Sequence, residues 1–235
     1  MAKLVAWLPQ LTDWLSWGCS TSVLLDNLEN DVELEAAREI CLDLWPFIKE
    51  LPDNISSIRN ALPPNMQAAA RLLGDLADEE RYYQQLFLKQ CKLTGLSLDR
   101  LQNYEGSPAS KAVQTLLSYQ VASDRYEDGL IALTVAELAA TGFCRAALPL
   151  FERYFAANAA QFQRRQVDEG LEWLRVHVRP QTRNALLLLK TLGEIDYASQ
   201  TDLPLVATNI LDALLNLWQC PARDFLDTES RGIPA

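Results

Sequence analysis

One run of residues decides most of what this chain can become. Residues 129–151 read GLIALTVAELAATGFCRAALPLF, and Glu137 and Arg145 are the only charged residues among them. The run shows no strict two-residue alternation and is too long for a strand. It therefore reads as a helix that is apolar on nearly every side, which is how a helix surrounded by other helices looks. Its length alone would allow it to cross a membrane. Glu137, near its middle, argues against that, because a carboxylate is costly in lipid and no second comparable segment exists to shelter it. The expectation is a soluble helical bundle with this helix at its centre and no membrane partner. A carboxylate buried there needs a counter-charge, a metal, a ligand or a proton. Arg145 is the nearest counter-charge in sequence and would make the pair a structural bridge.

The remaining chain is helical in pattern. Its 235 residues suffice for one large core, only nine are glycine, and no segment alternates like a strand. The expected helices cover 31–62, interrupted by Pro46 and Pro52, then 65–93, ending before Gly95. Ser107 and Pro108 read as an N-cap followed by proline at the first helical position, opening a helix to about Arg125. The central helix is expected over 127–156 with a bend at Pro149, a further one over 160–192 with a kink at Pro180, and another over 202–219. Residues 1–30 form a starter segment with Trp7, Trp14 and Trp17 packed on the body. Pro9 and Asp13 break the apolar run that a secretion signal would need. The tail 227–235 is expected to fray. No repeat, low-complexity segment or long linker divides the chain, so 1–235 reads as one all-α domain of about seven helices.

Charge and cysteine content narrow the function. A net charge of −10 with no basic cluster disfavours nucleic acid. The five cysteines are odd in number and none makes a CxxC pair, which fits free thiols in a reducing cytoplasm. Neither GxxxxGK[ST] nor GxGxxG occurs, and no GxSxG elbow is present. His177 is the only histidine, so a zinc site of the usual His and Cys type is not available.

Three helices carry polar residues on otherwise apolar faces. On the second, Glu80 and Tyr83 continue the line of Ala69, Leu72, Leu73, Leu76 and Phe87, with Glu79 at its margin. On the central helix Glu137, Thr141 and Arg145 follow at four-residue steps, with Thr134 just before them. On the next, His177, Gln181 and Asn184 are flanked by Leu174 and Leu188. Each has a bland reading: a solvated DEER turn, a structural bridge, a histidine satisfied within its own helix. Together they point to a polar-lined cavity between helices.

These same places resemble the heme-oxygenase-like fold, and within it the group of the chlamydial protein associating with death domains (CADD), beside TenA and PqqC. The resemblance lies in LLGDLADEERYYQQLFLKQCKLTGLSLDRL, in the buried glutamate of VAELAATGF, and in WLRVHVRPQTRNALLLL. It implies an all-α bundle whose metal-binding members show, in the third motif, His, an acid four residues on, and His three further. Here those positions are His177, Gln181 and Asn184, and the histidine expected after the acidic turn is Tyr82 or Tyr83. The implied ligand set is thus degenerate. Glu80 (or Glu79), Glu137 and His177 remain, which could formally hold iron, but no metal is favoured. Heme ligation is not implied, because the N-terminal helix carries no histidine.

The expected function is a binding or pseudo-enzyme module taking a small organic ligand, a carboxylate or an amphipathic molecule, lined by Glu80, Tyr83, Glu137, Thr141, His177, Gln181 and Asn184. Amides both donate and accept, which suits recognition. The alternatives are an iron-dependent oxidoreductase of the same fold or a cofactor-free PqqC- or TenA-type enzyme, with Glu137 and His177 as the candidate catalytic groups. In the latter Glu137 acts as acid or base, with Cys144 near it in sequence but read as lying on another side of the helix. A homodimer is the expected assembly.

Overall fold

The computed structural model describes residues 6–23, 25–26, 34–123, 125–179, 184–193 and 204–219. Ten helices stand among them: α1 (Leu8–Ser20), α2 (Leu34–Ala61), α3 (Gln67–Leu93), α4 (Leu98–Asn103), α5 (Pro108–Val121), α6 (Tyr126–Ala157), α7 (Arg164–Gly170), α8 (Glu172–Val178), α9 (Asn184–Leu192) and α10 (Leu205–Gln219). The described residues form no strand.

The apolar run becomes α6, and it lies at the centre of the bundle. It packs against α1, α2, α5, α8, α9 and α10, while α2 and α3 pair along their lengths. By length and hydropathy α6 could span a membrane, yet 67% of its most apolar window is buried against other helices. It is a core helix. α8 and α9 each touch both α3 and α6, and so bridge the two helices that carry the buried carboxylates.

Local chemistry explains several boundaries. The Ser107 hydroxyl accepts the Ser110 N–H and opens α5, with Pro108 in its first turn. Asp43, buried on α2, holds the connection into α5: its Oδ1 accepts the Tyr104 hydroxyl at 2.7 Å and the Ser107 N–H at 3.4 Å, and its carbonyl accepts the Ser110 hydroxyl at 2.7 Å. Gln163 and Gln166 close a capping box at the start of α7.

The structure departs from expectation in four ways. Among the described residues there are ten helices instead of seven: the predicted 160–192 helix is three, breaking at Leu171 after Gly170 with α8 ending at Val178, and Leu98–Asn103, read as a linker, is a short helix. Pro180 and its kink lie outside the described residues. Pro46 and Pro52 do not interrupt α2; each forgoes one backbone bond while the helix face packs on α3 and α5. α5 stops at Val121, four residues short of Arg125. Of the three N-terminal tryptophans only Trp7 is buried, at 1% exposed; Trp14 and Trp17 stand 46% and 51% exposed as an edge-to-face pair. Cys19, Cys41, Cys91 and Cys144 are free thiols, and the tail and Cys220 lie outside the described residues.

Candidate functional site

Between α3 and α6, under the bridge of α8 and α9, two carboxyl groups sit in the interior. Leu76, Glu80, Tyr83 and Phe87 recur at helical spacing along α3, so the turn that buries Leu76 and Phe87 also buries Glu80, which is 3% exposed. Its neighbour Glu79, one step round the helix, is exposed. On α6, Glu137 is 5% exposed. Neither carboxyl has a hydrogen-bond or ion-pair partner among the described residues, and Oε1 of Glu80 is wholly buried and unpartnered. Arg145, the expected counter-charge, is exposed and makes no ion pair with Glu137 among the described residues. Eight residues at about 100° each carry it about 80° round α6 from Glu137, to the surface.

With no cation to offset them among the described residues, the two carboxyls are shifted toward their protonated forms. Burial, then the Glu137 and Glu79 carboxyls, pushes Glu80 well above the ordinary carboxylate range. Burial, with Glu79 adding to it, raises Glu137 to about 7. At neutral pH Glu137 is therefore in mid-titration, and Glu80 is shifted toward its protonated form.

His177 on α8 packs against Tyr83, the residue one turn beyond Glu80 on α3. It is 4% exposed, and its Nδ1 lies 2.8 Å from the Trp173 carbonyl one turn earlier. A carbonyl only accepts, so Nδ1 carries the proton and Nε2 presents a lone pair. Burial lowers the pKa of the ring, against a smaller opposing effect of the Trp173 carbonyl, so the imidazole is neutral at pH 7. The ring is held between Trp173 and Tyr83, at centroid distances of 4.7 and 5.2 Å. Trp173 in turn meets Phe87 edge to face.

Asn184, at the start of α9, is buried with its amide nitrogen unpartnered. Tyr83 is half-buried, and its hydroxyl is pushed up to about 12 by burial and by Glu79, Glu80 and Glu137. Thr141 is half-buried on α6, with no hydrogen bond to the cluster among the described residues. Gln181 lies outside the described residues.

Cys144 corrects the reading of α6. Seven residues beyond Glu137 is two turns, which is the same face and not another side. The thiol is buried, and burial, Cys19, Glu137 and Glu80 all raise its pKa well above the usual value. It is a thiol and not a nucleophilic thiolate at neutral pH. Trp173, which sequence reading passed over, stands four residues before His177, the spacing at which a backbone carbonyl meets a side chain on the same helix.

Two spaces adjoin the cluster. On one side of Trp173 lies an apolar cavity of about 30 Å³, lined among others by Leu44, Phe47, Ala136, Ala140, Phe143 and Trp218. On the outer side of Tyr83 a groove of about 550 Å³ runs between α3 and α8, lined by Asp78, Glu79, Tyr82, Tyr83, Glu172, Val176 and Arg179.

The metal set implied by the resemblance does not fit this arrangement. Among the described residues no three His, Cys, Asp or Glu side chains gather as ligands, and Asn184 brings an amide in place of an imidazole. No step is derived through iron.

The fold has known counterparts. A TenA homolog from Pseudomonas syringae pv. tomato superposes with a TM-score of 0.64 at 14% identity, over 92% of this chain and 89% of that one. A domain of unknown function with a heme oxygenase-like fold, from Shewanella denitrificans, superposes with a TM-score of 0.52 at 10% identity, over 95% and 93%. At these identities the likeness is one of fold: the chain has the heme-oxygenase-like fold. No protein-family model matches it, and no curated protein matches it by sequence.

Proposed function

We propose that this heme-oxygenase-like bundle binds a small organic cation, an amine or amidine with a compact apolar body, at Glu80, Glu137, His177 and Asn184. One observation carries the reading: two carboxyls are buried, close enough to act on one another, with no counter-cation among the described residues. Leaving charge uncompensated in the interior costs several kcal/mol, about 3–5 by analogy with broken buried pairs. A bound cation removes that cost, and the Nε2 lone pair of His177 accepts further N–H groups. An anionic ligand would find no cation to pair with among the described residues and would meet the partial charge that Glu137, raised to about 7, carries at neutral pH; of the ligand classes expected from sequence, this reading takes up the amphipathic one. Free thiols suit a cytoplasmic setting.

An acid–base enzyme without cofactor is the second reading, and Glu137 favours it. A carboxyl titrating near neutrality can both take and return a proton. A ligand with an acidic C–H or N–H beside its cationic centre would be its natural substrate.

Matched probes of opposite charge test the binding. Millimolar n-propylamine and benzylamine should raise the melting temperature at pH 7, while propionate and benzoate should not. Equal shifts from both charge classes, or none from the amines, would remove the reading.

A further inference from the structure

We infer that the groove between α3 and α8 is the entrance to the buried cluster, that Tyr83 is its door, and that Glu79 at its mouth favours positively charged ligands. The ligand class rests on the proposed function; the door does not. Tyr83 is the residue that both lines the groove and packs against His177. Behind it lies Glu80, three residues back on the same face of α3, with an oxygen that is buried and unpartnered.

Three features make Tyr83 movable. It is half-buried, its hydroxyl has no hydrogen-bond partner among the described residues, and the groove on its outer side offers room for the ring. Swinging outward therefore breaks ring contacts and no hydrogen bond, and rotamer exchange of such a side chain is fast. Tyr82, 59% exposed with its ring centroid 6.0 Å from that of Tyr83, continues the aromatic surface outward.

The charges at the mouth differ in how they are used. Arg179 is engaged by Glu172 at 2.6 Å, and Asp78 by Arg81 at 2.7 Å. Glu79 has no ion-pair partner among the described residues, and its charge acts on Tyr83, Glu80 and Glu137 alike. A cation arriving in the groove meets Glu79 and the faces of two tyrosines before it meets the inner pair, a graded path for one sign of charge.

The single histidine makes the door measurable without knowing the ligand. Diethyl pyrocarbonate carbethoxylates an unprotonated imidazole nitrogen, and here only His177 can give the absorbance change at about 240 nm that hydroxylamine reverses. The wild-type protein should react slowly. Tyr83→Ala should react at least tenfold faster, and Tyr83→Trp no faster than wild type. Leu117→Ala loosens the core on α5, away from the groove and the cavity beside Trp173, and Tyr119→Ala removes an exposed tyrosine elsewhere; both should keep the wild-type rate. A wild-type rate in Tyr83→Ala, or an equal acceleration in Leu117→Ala, overturns the door. If Tyr83→Ala accelerates the reaction while amines fail to bind, the door stands and the assigned ligand class falls. If amines bind while Tyr83→Ala leaves His177 as it was, the ligand enters elsewhere and the inference fails alone.

Discussion

Glu137, buried with no counter-cation among the described residues, should contribute more stability in mild acid than in mild base. A carboxyl whose folded pKa lies above its unfolded value binds its proton more tightly when folded. The stability it contributes is fully present below about 4.5 and is lost as pH rises through about 7. Glu80 is shifted in the same direction and carries the loss to higher pH. Glu137→Gln keeps the shape and removes the titration. Its stability should exceed wild type by about 1–3 kcal/mol at pH 8 and match it near pH 5. Urea denaturation across that range checks this, and parallel pH profiles for the two proteins would contradict it. Glu137 itself was legible in the sequence, as the lone acid of an apolar run. Its surroundings were legible only by careful counting: seven residues bring Cys144 back to its face, and eight carry Arg145 off it. That no cation among the described residues meets the pair from another helix is a tertiary fact, which no helical periodicity contains.

At the scale of elements, the position of His177 depends on the break between α7 and α8. Gly170 ends α7 where α3 comes closest: a Cβ there would lie 2.5 Å from Leu93 Cδ2 and 2.9 Å from Leu93 Cβ. Gly170→Ala must therefore push α7 and α8 away from α3, at about 1–3 kcal/mol. Because α8 carries both Trp173 and His177, the same change should loosen the ring stack and speed the reaction of His177 with diethyl pyrocarbonate. Chemical denaturation and that reaction rate together check it; unchanged stability would mean that α3 yields at no cost. The periodicity of 160–192 runs through this break without a mark, since Leu171, Leu174 and Leu188 keep one apolar line. The close approach that demands glycine is made by a residue on α3, far away in sequence. The prolines of α2 mislead in the opposite direction: they signal a break locally, and the packing of α2 on α3 and α5 keeps the helix whole. By contrast Ser107–Pro108 predicted its helix start correctly, because a cap is chemistry between neighbours.

The molecule as a whole has a heme-oxygenase-like fold whose apolar core holds two buried carboxyls, Glu80 and Glu137. The fold was legible because the most apolar helix must be surrounded, and because helix order and length constrain what can surround it. Parts of the site were legible: Glu80 and Glu137 are both buried and act on one another, and Tyr83 packs against the buried His177. Its ligand preference comes from net charge in the interior, which depends on which cations stay outside. The direct test of that preference is proton release on binding. In unbuffered solution held by pH-stat at pH 7, saturating n-propylamine should expel protons from the wild-type protein as its cation takes their place between Glu80 and Glu137. Glu137→Gln should release fewer, and the Glu80→Gln, Glu137→Gln double variant none. Binding without proton release, or no binding at all, would contradict the claim that a small cation is what this buried pair awaits.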